Sequence, residues 1–151
     1  MQEASSEPSR WPCARATNNE VTLNVIQEVK AWGRVRHLFD TPQCAVSVLE
    51  VVKGGYSSRH YHEWRINRFL VQSGQIEVVH YNGSIEERFV LNPGDVHDVP
   101  AKVVHRFEVI EPGIVIEVYW PAAGVTITDI KRLDTGGSNV AAESSSLAGN
   151  T

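Results

Sequence analysis

An all-β sandwich or jelly-roll barrel is the fold this sequence predicts. Short segments rich in β-branched and aromatic residues follow one another along the chain, and turn chemistry separates them at regular intervals. Nowhere does a 3.6-residue apolar period last for the length of a helix. With 151 residues, the chain is long enough for one well-filled core and too short for two ordinary domains.

The elements follow in order. Residues 1–19 are rich in Ser, Pro, Asn and Glu and read as a flexible N-terminal segment. The barrel is expected over residues 20–134. It begins with Val21 to Val29, where Val21, Leu23 and Val25 share one face, and continues with the β-branched run Cys44 to Val52. Further strands are expected at Ser58–Glu63, Asn67–Gln72, Gln75–Tyr81, Glu86–Leu91, Asp95–Pro100, Val104–Ile110 and Ile114–Trp120. Turns are expected at Gly54-Gly55, Ser73-Gly74, Asn82-Gly83, Asn92-Pro93-Gly94 and Glu111-Pro112-Gly113. Residues 135–151 carry almost no large apolar side chain, cannot offset their ordering entropy, and read as a disordered tail. The Val21–Val29 segment stands outside the main motifs and offers an edge for a second subunit, so a homodimer is expected.

Composition narrows the function. Apolar residues make up 42% and charged residues 21%, as in a soluble globular protein, and the net charge of −4 argues against a nucleic-acid partner. No run of apolar residues is long enough to span a bilayer, and the N-terminus shows no apolar signal core. Cys13 and Cys44 lack metal-finger spacing, so a reducing cytoplasm is the expected setting.

The chemistry concentrates in the histidines. His60 and His62 are two apart, so on a strand both imidazoles point to one side of the sheet. Two adjacent inward imidazoles are costly unless something binds them. They stand in the block Gly54-x5-His60-x-His62-x4-Asn67-x6-Gly74, and a later block reads Gly94-x5-Pro100-x4-His105. His60, His62 and His105 are therefore the candidate ligands of a divalent metal ion. Asn67 offers a neutral amide oxygen as fourth or outer ligand, a weaker donor than a carboxylate. Glu63 falls on the opposite face. His97 shares parity with Val99 and is a candidate to support the metal ligands from behind or to act as general base, whereas His80 and His37 read as surface residues, the latter beside Arg34 and Arg36.

These two blocks resemble the paired motifs of the cupin family, G-x5-H-x-H-x3,4-E-x6-G and G-x5-P-x-G-x2-H-x3-N. Two departures stand out: the family's glutamate is Asn67, and its glycine after the proline is Lys102. The fold this resemblance implies is the cupin jelly-roll, a double-stranded β-helix barrel. Residues 28–134 are most similar to the cupin domain of type II mannose-6-phosphate isomerases. The similarity lies in Trp32-Gly33, His60-x-His62-x2-Arg65-x-Asn67, Val71-Gln72-Ser73-Gly74, Pro100-x4-His105, Ile116-Glu117-Val118 and Asp129-Ile130-Lys131-Arg132-Leu133-Asp134. That resemblance implies metal-assisted isomerisation of a sugar or sugar phosphate, with Zn²⁺ the first candidate and Fe, Mn or Ni the alternatives. Glu117 is the carboxylate candidate for an interior base. Arg65 and Arg132 are candidates to hold an anionic or hydroxylated group, and Phe69 and Tyr119 to stack on a sugar-like substrate. Two other readings stay open: a non-enzymatic carbohydrate-binding barrel, and an Fe-dependent dioxygenase.

Overall fold

The computed structural model describes residues 25–122 and 130–139. Its elements are strands: β1 (Ile26–Lys30), β2 (Gly33–Asp40), β3 (Ala45–Val51), β4 (Gly55–Tyr56), β5 (His60–Tyr61), β6 (Arg65–Asn82), β7 (Ile85–Leu91), β8 (Val96–Val99), β9 (Val104–Pro121), β10 (Lys131–Arg132) and β11 (Gly137–Ser138). All described pairings are antiparallel. The all-β jelly-roll expectation holds. No helix among the described residues is long and apolar enough to cross a membrane.

Two long strands organise the barrel. β6 and β9 pair from Arg65↔Pro121 to Tyr81↔Val104, with register shifts between Val71 and Ile76. One half of this pair carries β3 and β8 as neighbours, and the other carries β4, β5 and β7. The expected turns at Ser73-Gly74 and Glu111-Pro112-Gly113 are thus bends within continuous strands. Gly74 has φ +78°, and a Cβ there would lie 2.5 Å from the Pro112 carbonyl oxygen. Only glycine allows the two backbones to cross so closely.

Alternation places the core. In β3, Ala45, Ser47, Leu49 and Val51 face inward and the residues between them are less buried. The core joins Leu49 and Val51 to Val35, Phe69, Val71, Ile76, Val78, Leu91, Val99, Phe107, Val109 and Val115. Each such side chain contributes roughly 1.5–3 kcal/mol on burial. Further along the same inward rows stand polar residues: Ser47 on β3, Arg65 and Asn67 on β6, His105 and Glu117 on β9, all buried. One end of the barrel interior is therefore apolar and the other polar.

Several expectations change. Strand β2 was not expected, and in it His37 takes part in a strand rather than a solvated cluster. The strand expected over Ser58–Glu63 contracts to β5, and Val21 to Asn24 lie outside the described residues. Within the expected C-terminal tail, Gly137–Ser138 pairs with Gly55–Tyr56, because Gly136 and Gly137 lie against the backbone and ring of Tyr56, where a Cβ has no room.

The bend yields a prediction. Gly74→Ala is expected to lower unfolding free energy by about 2–4 kcal/mol in denaturant titration, through both φ strain and the backbone clash. Gly83→Ala, at φ +63° with nothing within 4 Å of the added Cβ, should cost only about 1 kcal/mol.

Candidate metal centre

The three motif histidines converge. β5 pairs His60 directly with His105 of β9, and His62 follows two residues on, so all three rings enter the barrel together. One ligand atom from each lies within 4.8 Å of the others. Ring centroids are 4.3 Å apart for His60 and His105, and 5.2 Å for His60 and His62.

Hydrogen bonds fix the tautomers. His60 Nδ1 donates to the Ser58 carbonyl at 2.7 Å, and His105 Nδ1 donates to the Val103 carbonyl at 2.9 Å. Each leaves Nε2 as a lone-pair donor, the arrangement by which proteins orient metal-binding imidazoles. Burial lowers the His60 pKa to about 4 and holds that of His105 well below its ordinary value, the latter helped by neighbouring His60. Both are neutral at pH 7, as coordination requires. The buried His60 Nε2 finds no hydrogen-bond partner among the described residues. An unsatisfied imidazole nitrogen in a three-histidine cluster fits a divalent ion, and the donor set suits Zn²⁺, Fe²⁺, Mn²⁺ or Ni²⁺.

Lys102 supports the loop beneath. It stands at φ +70°, in the position where the cupin motif has glycine, and its amide donates to the His62 carbonyl at 2.6 Å. Its side chain meets Glu63 at 3.4 Å and the face of Trp64, on the outside of the barrel as expected for Glu63.

Asn67 links the histidines to a carboxylate. Fully buried, it donates from Nδ2 to Glu117 Oε1 at 3.1 Å and lies 3.3 Å from Tyr119 Oη and 3.4 Å from His105 Nε2. Its Oδ1 is buried without a partner among the described residues. The carboxylate absent from position 67 is thus supplied one hydrogen bond away, from the opposite strand. Burial raises the Glu117 pKa, while hydrogen bonds from Tyr119 and Asn67 pull it back down. Burial, with the adjacent Glu117, pushes the Tyr119 hydroxyl well up.

A cavity of about 580 Å³ opens over this network, lined by His60, His62, Arg65, Glu117, Tyr119 and Arg132 among others. Both arginines therefore reach the chamber of the histidines. Arg65 is 5% exposed, with its Cζ 5.0 Å from the centroid of the Tyr119 ring. Arg132, on β10, is paired in register with His60, and Asp134 is engaged by Arg59 at 2.5 Å. Asp129 lies outside the described residues.

Two candidates sit elsewhere. Phe69 is a core residue, 1% exposed, with its ring edge-on to Phe107 and His105, so it supports the site from behind and offers no surface for stacking. His97 does not line the cavity; its Nε2 lies 3.1 Å from that of His80, and its ring packs on Phe89 at 4.4 Å. Conversely, His37 does line the cavity, with Nδ1 3.0 Å from Ser47 Oγ and Nε2 3.3 Å from Glu28. Its parity with buried Val35 was the available signal.

The neutral buried imidazoles carry a pH consequence. Between pH 6.5 and 4 the unfolded chain binds a proton at His60 that the folded chain refuses, so stability falls as pH drops through that window. For metal-free protein the loss is expected to reach about 3 kcal/mol from His60 alone, and His105 adds in the same direction. Chemical denaturation at pH 7, 5.5 and 4.5 measures it, and His60→Gln should flatten the profile.

Comparison with known proteins agrees with this geometry. Residues 47–120 match the family model described as the cupin domain. No curated protein sequence matches the chain. Among solved structures, KdgF from Halomonas sp. superposes with a TM-score of 0.55 at 23% identity, covering 64% of this chain and 86% of that one. Oxalate decarboxylase from Bacillus subtilis gives 0.60 at 14% identity, covering 73% and 30%. The capsular polysaccharide assembling protein CapF from Staphylococcus aureus gives 0.57 at 20%, covering 69% and 31%, so this chain spans about a third of the latter two. At these identities the likeness is one of fold. Motif, barrel and family match agree over residues 47–120, the part of the chain that is similar to a cupin domain.

Proposed function

We propose that this cupin is a metal-dependent isomerase or epimerase acting on a sugar-like small molecule, with the ion held by His60, His62 and His105. The observation that carries the reading is Glu117: a buried carboxylate in the wall of the histidine cavity, joined to the cluster through Asn67. Zn²⁺ is the ion proposed, with Fe, Mn or Ni as alternatives. Mn(II) centres occur in the Bacillus subtilis oxalate decarboxylase, which shares the fold.

A bound divalent ion supplies Lewis acidity that polarises a substrate oxygen. The rest falls to the chain. Glu117 takes the proton from the carbon beside the polarised carbonyl and returns it to the neighbouring carbon or to the opposite face. Its raised pKa makes the carboxylate a stronger base. Asn67 and Tyr119 hold that carboxylate by hydrogen bonds, and Arg132 at the mouth contacts the outer end of the substrate. His97, outside the cavity lining, has no part in this scheme.

Two measurements test it. Mass spectrometry of the untagged protein should find close to one divalent ion per chain, lost in His60→Ala. Sugars and sugar acids incubated in D₂O should exchange a carbon-bound proton, and Glu117→Gln should slow this by about 10²-fold or more while keeping the metal. A parent that holds no metal, or exchange indifferent to both substitutions, rules the reading out. A homodimer through the β1 edge is proposed as well, since Ile26 and Val29 are 63% and 80% exposed there. Val29→Lys should convert a dimeric mass to a monomeric one in light scattering.

A further inference from the structure

We propose that His80, His97 and Glu87 form a second divalent-metal site, separate from the three motif histidines and open to solvent beside β7 and β8. The ladder brings the three residues together. His80 stands opposite His105 on β9 and opposite Glu87 on β7, while His97 stands opposite Phe69 on β6. Directly opposed residues of an antiparallel pair project from one face, so these side chains share the inner face of the sheet. Strand β9 takes one edge of β6, and β7 and β8 share the other. The chain thereby returns His97 to His80, with Nε2 3.1 Å from Nε2. Phe89 packs on both rings, 4.4 Å from His97 and 5.0 Å from His80 between centroids. Both histidines are only partly buried and Glu87 is exposed, so an ion has access from solvent.

The distance identifies the chemistry. Two imidazoles on one ion, with metal–nitrogen bonds of about 2.0–2.1 Å and angles from about 90° to tetrahedral, hold their nitrogens roughly 2.9–3.3 Å apart. Neither ring has to move to take an ion. Without metal, one shared proton fills the same gap as an Nε2–H to Nε2 hydrogen bond. Glu87 is what distinguishes a ligand set from a simple hydrogen-bonded pair. Its carboxylate makes no hydrogen bond or ion pair among the described residues, and the adjacent cation, Arg88, is engaged by Glu77, Glu86 and Glu108 instead. Burial and the neighbouring His97 lower the His80 pKa while Glu87 acts against them, and burial lowers that of His97. Both rings are therefore neutral at pH 7 and offer a lone pair. Two imidazoles and one carboxylate suit a borderline ion such as Zn²⁺ or Ni²⁺, with water in the remaining positions.

The test is equilibrium dialysis of the chelator-stripped full chain against Zn²⁺ at pH 7, with uptake read by mass spectrometry. His60→Ala, which removes a motif ligand, should still take up zinc, and His60→Ala combined with His97→Gln should lose it. Glu87→Gln in the His60→Ala background should weaken uptake by about 10-fold or more. Glu87 is exposed, so this variant keeps the test decisive even where His97→Gln fails to fold. Nitrogen-15 NMR of the imidazoles locates the ion: zinc should shift the Nε2 resonances of His80 and His97 and remove the proton between them. No zinc uptake by His60→Ala, uptake indifferent to His97→Gln, affinity unchanged by Glu87→Gln, or unmoved His80 and His97 resonances at saturation overturns the assignment.

Discussion

The pairing of β6 with β9 is the constraint on which the rest of this structure depends. Each strand runs for 18 residues and bends where the other bends, so one antiparallel ladder serves both ends of the barrel. The ladder fixes what meets in the site. His105 stands opposite His80 on one side and His60 on the other, Asn67 stands opposite Tyr119, and Phe69 opposite Glu117. A one-residue slip would send every inward group to the outer face. Gly74 and Gly113 let the crossing close tightly enough to hold that register.

The level at which each inward row changes from apolar to polar is as important as the register. Leu49 and Val51 on β3, Val71 on β6 and Val115 on β9 pack as hydrocarbon; Ser47, Asn67 and Glu117 follow on the same faces. Water is kept from the underside of the site, so its charges act in a low-dielectric setting where hydrogen bonds and ion pairs are strong. That setting drives the His60 and His105 pKa values down and that of Glu117 up.

Much of this was legible in the sequence, for identifiable reasons. Alternation and turn residues gave away the barrel because one face of most strands is buried. Parity placed His60 and His62 together, and the spacing of the two blocks brought in His105. What parity does not encode is depth along the barrel. Phe69 shares its face with Arg65 and Asn67, yet lies one level lower, in the core. Strand β2 was obscured because Arg34, Arg36, His37 and Asp40 surround its one buried residue, Val35. The bends were mistaken for turns because Ser-Gly and Pro-Gly serve both purposes. Strand β11 is too short and too rich in small residues to show a period; close backbone approach to Tyr56, not apolar burial, holds it.

Replacing the motif glutamate by Asn67 redistributes charge rather than deleting it. With glutamate at that position, one negative charge would lie within the ligand set itself. Here the candidate donors are neutral imidazoles, with the Asn67 amide beside them, and Glu117 stands one hydrogen bond back from Asn67. A divalent ion in this site would therefore retain more of its charge toward the cavity, where Arg65 and Arg132 already stand. The cavity wall as a whole is mixed in charge, with Lys30, Arg65 and Arg132 beside Glu28, Asp40, Glu117 and Asp134. With an ion on the three histidines, Glu117 would stand outside the candidate ligand cluster, which a carboxylate needs if it is to act on protons instead of holding metal.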